Sequence, residues 1–218
     1  MHQSVHPEAI QMKIHNKFLK KLGFKQSVLE WTGIAAILAI LYFTGLYTEV
    51  LGGMQRVMLW TGFFNAEVHK VSTADGPKLT DNAYNMVLAT PSGSQVSLRQ
   101  FKGDVLFINF WASWCPPCIA EMPTIEKLYH HVSKKKNIKF LMISVNKNHQ
   151  KALNFIKNKG FPMPFYFPSS GIPSVFQTSM IPSTYVISSR GKVIYKRKGI
   201  ADYSSGKFRH WLIKQAGK

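Results

Sequence analysis

Residues 105–110, VLFINF, form an almost entirely apolar run that ends shortly before the two cysteines of the chain, Cys115 and Cys118. A run of this length and composition predicts a strand that is covered on both faces of a sheet. The following residues, 119–131, carry apolar side chains at helical spacing and predict a helix. A buried strand that leads directly into a helix predicts an α/β domain with the cysteines at the strand-to-helix turn.

The rest of the chain from residue 80 to residue 218 continues to alternate between strand and helix patterns. The further predicted elements are two strands within 84–98 joined by a Pro-Ser-Gly turn, a strand at 138–145, a helix at 149–160 ending at Gly160, a short strand at 165–167, a hairpin at 183–199 turning near Arg190 and Gly191, and a closing helix at 203–215. This order predicts an α/β sandwich.

The two cysteines stand two residues apart, and three kinds of site use that spacing: a structural disulfide, half of a metal site and a redox pair. A disulfide across so short a loop is worth only about 2 kcal/mol, against about 3 kcal/mol for a loop of 15 residues. Zinc needs four ligands, and the nearest candidates, His130 and His131, point about 100° apart on a helix. The redox pair is favoured, and a copper-handling or binding module remains the alternative.

The redox interpretation gives each residue of the motif a role. Cys115 falls at the N-terminus of the predicted helix, where free N–H groups and the helix dipole stabilise a thiolate, so it is the expected attacking thiol. Cys118 lies one turn deeper on the same face and is the expected resolving thiol. Pro116 fits the first helical turn, and we expect it and the neighbouring Trp114 to contact the substrate.

Glu121 follows Cys118 by one further turn on the same helix face. A carboxyl group there could take a proton from a buried thiol or return it. The spacing is equally compatible with an ordinary acidic residue favoured by the helix dipole, so both interpretations stay open at this point.

The segment FINFWASWCPPCIAEMP, together with the preceding hairpin and the later MIPSTYVIS, resembles the TlpA/ResA type of membrane-anchored thiol–disulfide oxidoreductases of bacteria. The resemblance covers residues 80–218. It implies a thioredoxin-like fold, a central mixed sheet flanked by helices, with an N-terminal β-hairpin and a helix–strand insertion at about 148–168. It also implies that the Ile181–Pro182 bond is cis and that Ile181 and Pro182 face Cys115 and bind substrate. From the shortage of metal ligands near the cysteines, we expect no metal, and we expect no cofactor.

The same resemblance favours a catalytic role for Glu121, since these proteins commonly carry a glutamate three residues after the second cysteine. Asn109 stands six residues before Cys115, where thioredoxin has a buried aspartate, which leaves Glu121 as the candidate for proton transfer. The implied partners are disulfide-bearing exported proteins, with cytochrome c maturation as one setting, and a membrane thiol electron donor. The implied direction is reduction.

The N-terminal third predicts how the domain is attached to a membrane. Residues 31–48 carry no charge and as a helix would reach about 27 Å, close to the thickness of the hydrocarbon core, which predicts one transmembrane signal-anchor helix. Residues 1–30 contain five lysines and are expected in the cytoplasm, while the juxtamembrane segment and linker, 49–79, and the domain at 80–218 are expected on the periplasmic side of the inner membrane.

The chain is strongly basic, with 28 Lys and Arg residues against 10 Asp and Glu residues. Most of the excess lies in the exported part, including KKK at 134–136 and KRK at 196–198. We interpret these runs as solvated faces, with attraction to an anionic membrane or an acidic partner as the alternative. Basic and aromatic residues do not alternate as they do in nucleic-acid grooves, so nucleic acid is not an expected partner.

Overall fold

A computed structural model describes residues 30–40, 42–44, 76–135 and 137–217. The chain divides into two compact units, Met1–Tyr47 and Thr48–Lys218. In the first unit, residues 30–40 and 42–44 are helical. Within the described ranges, no helix is both long and apolar enough to cross a bilayer. The predicted membrane helix at 31–48 and the predicted juxtamembrane segment at 49–79 lie partly outside these ranges, and both remain predictions.

The second unit is built on one mixed sheet. Its strands are β1 (Val87–Ala89), β2 (Gln95–Ser97), β3 (Val105–Trp111), β4 (Ile138–Ser144), β5 (Phe165–Pro168), β6 (Ser183–Ile187) and β7 (Val193–Lys198). Over the described residues they lie in the order β2-β1-β5-β4-β3-β6-β7. Strand β3 pairs in parallel with β4 and antiparallel with β6, so the strand that leads to the cysteines lies inside the sheet.

In the described part of this unit, the three longer helices pack into the hydrophobic cluster on one face of this sheet, and a short helix and two 3₁₀ turns pack into the cluster on the other face. The helices are α1 (Asp81–Tyr84), α2 (Pro116–Val132), α3 (His149–Lys159) and α4 (Gly206–Ala216), with 3₁₀ turns at Leu98–Phe101 and Ser174–Phe176. The first of these elements and both 3₁₀ turns were not among the sequence predictions, because three or four residues are too few to show a helical period.

Every residue of β3 is buried, and its side chains alternate between two hydrophobic clusters. Phe107 and Trp111 contact the cluster that includes the buried face of α2, while Ile108 and Phe110 belong to the cluster on the opposite face of the sheet. This alternation places Asn109 on the face that α2 covers.

The elements predicted around the cysteines are confirmed. The early hairpin, the central strand, the following helix, the strand at 138–144 and the closing hairpin all occur within three residues of their predicted bounds. The helix and strand expected between about 148 and 168 are α3 and β5. Gly160 ends α3 with a φ of +66°, a conformation that glycine adopts without strain. The peptide bond between Ile181 and Pro182 is cis, as the resemblance implied.

Candidate active site

The two cysteines form a disulfide at the start of α2, with their Cα atoms 5.3 Å apart. Cys115 is the N-cap of the helix, and its Sγ accepts a hydrogen bond of 3.3 Å from the backbone N–H of Cys118. Cys115 is 3% exposed and Cys118 is 0% exposed. An approaching reactant therefore reaches the sulfur of Cys115 before that of Cys118.

The first turn of α2 explains why this position favours a thiolate. Pro116 and Pro117 occupy the first two helical positions, where a missing N–H costs no intrahelical hydrogen bond. The N–H of Cys118, which donates to the Cys115 sulfur, and the helix dipole stabilise negative charge on that sulfur. Trp114, beside the pair, is 55% exposed and presents an aromatic surface to solvent.

The loop that carries Cys115 is held by Asn146, a residue the sequence analysis did not identify. The Ser113 N–H donates to Asn146 Oδ1 at 3.0 Å, and Asn146 Nδ2 donates to Ser113 Oγ at 2.8 Å. Ser144, the last residue of β4, donates to the same Oδ1 at 3.0 Å. Polar residues directly after a buried strand are the only signal in the sequence that points to this contact.

Glu121 is fully buried beneath the pair on α2. Asn109 Nδ2 donates to Glu121 Oε1 at 2.7 Å, and the backbone N–H of Ala201 donates to Oε2 at 3.2 Å. Burial raises the pKa of Glu121 to about 8, and these two hydrogen bonds and the positive charge of Arg197 only partly oppose that rise. The carboxyl group therefore holds a proton in most molecules at neutral pH and can release it in a slightly alkaline range.

The interpretation of the KRK run at 196–198 as a solvated face is wrong for Arg197. Lys196 and Lys198 are exposed, but Arg197 is only partly exposed and its Nε is buried. The reason is the two-residue period of a strand, which directs alternate side chains to opposite faces.

The segment before β6 contributes the second side of the site. Ile181 packs against the hydrophobic cluster that contains both cysteines, Pro182 is buried, and the neighbouring Met180 is 51% exposed. Ile181 also lines an open pocket of about 630 Å³, together with Phe110, Val145, Ile172, Phe176 and Lys198. The pairing of Phe110 with Ser183 brings this segment to the end of β3 from which the Cys115 loop leaves the sheet.

The predicted site residues thus come from two regions. Trp114, Cys115, Pro116, Cys118 and Glu121 lie on α2 or directly before it, and Ile181 and Pro182 directly precede β6. Over the part of the chain that the structure describes, no group of three or more His, Cys, Asp or Glu side chains is close enough to hold a metal ion.

Comparison with known proteins gives consistent matches. The family profile described as Redoxin matches residues 74–205. The chain is 28% identical over 151 residues to the thiol-disulfide oxidoreductase ResA of Bacillus cereus, a match that covers 69% of this chain and 83% of that protein. With ResA of Bacillus subtilis the identity is 30% over 114 residues, covering 52% of this chain and 63% of that protein.

A solved structure is similar over the same region. It is a thiol:disulfide interchange protein of the thioredoxin family from Chlorobium tepidum TLS, 25% identical, with a TM-score of 0.54. The match covers 66% of this chain and 99% of that chain.

Proposed function

Because the chain belongs to the Redoxin family, we propose that Cys115 and Cys118 are the exchanging pair of a thiol–disulfide oxidoreductase that acts on proteins. The chain is a ResA/TlpA-like protein of thioredoxin-like fold. The observation that carries the proposal is the disulfide at the first turn of α2, where Cys115 is the N-cap and Cys118 lies buried behind it.

The exchange proceeds in two steps. The thiolate of Cys115 attacks one sulfur of a substrate disulfide, forms a mixed disulfide and displaces the other substrate sulfur, which takes up a proton. The thiolate of Cys118 then attacks the sulfur of Cys115, displaces the second substrate sulfur and closes the disulfide. The substrate gains two electrons and two protons, and the cysteine pair loses them.

Glu121 serves the second step, because the Cys118 thiol must lose its proton inside a buried site. A carboxyl group with a pKa of about 8 is close to the ordinary pKa of a thiol, so the proton passes between the two groups at little cost. The positions of Cys118 and Glu121, one helical turn apart and both fully buried, support this role.

The substrate lies across the two regions that flank Cys115. The exposed indole of Trp114 and the ring of Pro116 contact it on the α2 side. On the other side, the backbone at Ile181 pairs with an extended segment of the substrate, beside buried Pro182. The pocket that Ile181 lines accommodates a substrate side chain next to this backbone.

We further propose that the protein works as a reductant on the periplasmic side of the inner membrane. Residues 31–48 anchor it, and a membrane thiol donor returns the Cys115–Cys118 disulfide to two thiols. Its substrates are disulfides of exported proteins, with apocytochrome c as one candidate. Support comes from the similarity to the TlpA/ResA group and from the uncharged stretch behind a lysine-rich N-terminus.

Insulin reduction by the full chain tests the exchange reaction. We expect Cys115→Ser to abolish the activity, because the one remaining cysteine, Cys118, is fully buried and cannot reach a protein disulfide. Cys118→Ser is the matched control, since it also removes the disulfide but keeps the nucleophile, and it should accumulate covalent adducts with insulin. Full activity of Cys115→Ser would exclude the proposed reaction.

The direction is tested by equilibrating the full chain with glutathione and by trapping the thiol state of the pair in growing cells. A reductant should be found mainly in its dithiol form and should have a potential well below that of the glutathione couple. A pair that is mostly oxidised in cells, with the potential of a strong oxidant, would reverse the proposed direction while leaving the exchange chemistry intact.

A further inference from the structure

Three polar residues lie side by side on adjacent strands beneath α2. Asn109 of β3 is paired with Thr184 of β6, and Thr184 is paired with Arg197 of β7. Directly opposed residues of antiparallel strands point to the same face of a sheet. Asn109 contacts Glu121 of α2, so the row formed by Asn109, Thr184 and Arg197, called here the polar row, lies on the face that α2 covers.

Asn109 joins the polar row to the Glu121 carboxyl group. Its Nδ2 donates one hydrogen bond to Glu121 Oε1 at 2.7 Å and another to Thr184 Oγ1 at 2.9 Å. All three side chains are buried. The Asn109 side chain is therefore held from two directions while it contacts the carboxyl group.

The other end of the Asn109 amide carries a buried oxygen, Oδ1, for which the described residues supply no hydrogen-bond donor. An ionised Glu121 needs a donor, which Nδ2 supplies, whereas a protonated Glu121 has an O–H to donate. Rotation of the Asn109 amide by half a turn presents Oδ1 to that O–H. An asparagine can thus bind both forms of the carboxyl group, which an ionised aspartate at this position could not, since it accepts only.

Arg197 supplies charge from the edge of the sheet. Its Nη2 donates to the Ile200 carbonyl at 3.4 Å, and its buried Nε has no acceptor among the residues that the structure describes. The guanidinium group stabilises the ionised form of Glu121 and lowers its pKa. Lys196, the preceding residue, points to the opposite face, where its Nζ lies 5.3 Å from the centre of the Tyr185 ring.

We propose that Asn109 and Thr184 are positioning residues that hold the Glu121 carboxyl group in both of its protonation states, and that the charge of Arg197, on the same face of the sheet, favours the carboxylate. This inference rests on the proposed role of Glu121 in exchange. The polar row influences the protonation of Glu121 from outside the Cys-Pro-Pro-Cys segment. Its three members lie on three different strands, two of which, β6 and β7, are distant in sequence from that segment.

The groups that face Glu121 determine the sign of each effect. Arg197 from β7 lowers the pKa of Glu121, as do the hydrogen bonds from Asn109 of β3 and from the Ala201 N–H. Tyr203, before α4, is neutral in this range, because burial and the charge of Glu121 raise its pKa well above the usual value. Cys115 and Cys118 of α2 are joined as a disulfide and do not titrate in the oxidised protein.

Infrared difference spectra of the oxidised full chain, recorded against pH, follow the C=O stretch of the protonated carboxyl group without any enzymatic assay. The band that is lost in Glu121→Gln belongs to Glu121, and we expect its midpoint at about pH 8. Arg197→Gln should raise the midpoint by about one pH unit, because a nearby opposite charge is lost. Asn109→Leu should also raise it, because the carboxylate loses a donor.

Lys196→Gln is the matched control, since it removes the same charge from the adjacent position on the other face. Its midpoint should equal that of the unaltered protein, and Arg197→Lys, which keeps the charge, should stay within about half a pH unit of it. An unchanged midpoint in Arg197→Gln, an equal shift in Lys196→Gln or a full shift in Arg197→Lys would each overturn the assignment of Arg197.

Kinetics separate this inference from the proposed function. If Glu121 takes the proton of Cys118, the resolving step in Arg197→Gln should be about tenfold slower at pH 7, since about a tenth as much carboxylate is present. A shifted infrared midpoint without that change in rate would support the polar row and contradict the proton-transfer role of Glu121.

Discussion

The carboxyl group of Glu121 is buried in the fold, and this burial favours its neutral, protonated form. The carboxyl group has no contact with water, and two hydrogen bonds do not offset the cost of burying its charge. Its pKa is raised from 4.5 to about 8, so the folded chain keeps a proton that the unfolded chain releases between these two pH values. The free energy of unfolding must therefore decrease as the pH rises through this window.

Replacing Glu121 by Gln should remove that decrease. The neutral amide keeps one acceptor for the Ala201 N–H and can donate to Asn109 Oδ1 after rotation of the Asn109 amide. Relative to the unaltered chain, we expect the variant to gain stability progressively from about pH 4.5 to about pH 8, by at most about 5 kcal/mol. Urea unfolding of the oxidised full chain at a series of pH values measures this difference.

Asp104→Asn provides the control, because it removes a carboxyl group that is only partly buried, directly before β3. Its unfolding free energy should follow the pH dependence of the unaltered chain across the same window. If the Glu121→Gln curve runs parallel to both, the buried carboxyl group is not the source of the pH dependence.

The residues of the site differ in how far the sequence could reveal them. Cys115, Cys118 and Glu121 are three residues apart on one helix, so their common face follows from local geometry. Thr184 reaches Asn109 across 75 residues of chain, and only the pairing of β6 with β3 brings them together. Arg197 could not be separated from the lysines beside it until the alternation of β7 was known.

At the scale of elements, the hairpin of β6 and β7 carries two of the three residues of the polar row, and its turn depends on Gly191. This glycine has a φ of +77°, and a Cβ added to it would lie 2.5 Å from the hydroxyl oxygen of buried Tyr84. Its carbonyl accepts a hydrogen bond of 2.8 Å from Leu79 N–H. The turn therefore packs against the start of the domain, and any residue other than glycine at position 191 would have a strained backbone.

We expect Gly191→Ala to lower the free energy of unfolding by about 1–2 kcal/mol from the backbone alone, with a further loss from the contact with Tyr84. Chemical denaturation measures the total. Gly93→Ala is the control, because Gly93 turns the β1–β2 hairpin with a φ of +90° and has no atom near the added Cβ.

A second change isolates the contact. Tyr84→Phe removes the hydroxyl group that the added Cβ would contact. The double variant Tyr84→Phe/Gly191→Ala should therefore lose less unfolding free energy than the two single variants lose together. Equal losses for Gly191→Ala and Gly93→Ala, with additive behaviour of the pair, would show that Tyr84 does not constrain the turn.

Elements were easier to predict than contacts, for a physical reason. A buried face leaves a run or a period of apolar residues along the whole length of an element. Such patterns predict the strand at 105–111 and the helices at 116–132 and 149–159. The turns at 98–101 and 174–176 span only three or four residues, which is too short to show a period in the sequence.

At the scale of the whole molecule, the distribution of charge predicts an orientation in the membrane. The lysines before residue 31 are expected to stay in the cytoplasm, which puts the domain with the Cys115–Cys118 pair on the opposite side. Protease added to intact spheroplasts that contain the full chain should digest the domain. A cytoplasmic marker protein should survive in the same sample.

Replacing Lys13, Lys17, Lys20, Lys21 and Lys25 by Gln provides the matched variant. It should lower the fraction of chains in which the domain is accessible, because the charge that retains the N-terminus is gone. Full protection of the domain in the unaltered chain would contradict the proposed periplasmic location.

The proposed exchange itself is tested most directly by covalent capture in cells. A tagged full chain carrying Cys118→Ala cannot complete the second step, so the mixed disulfide should persist when free thiols are blocked during lysis. We expect adducts that are released by reductant and linked through Cys115, and none from the variant that also carries Cys115→Ser. The absence of adducts from Cys118→Ala, or the same adducts from the double variant, would contradict the account.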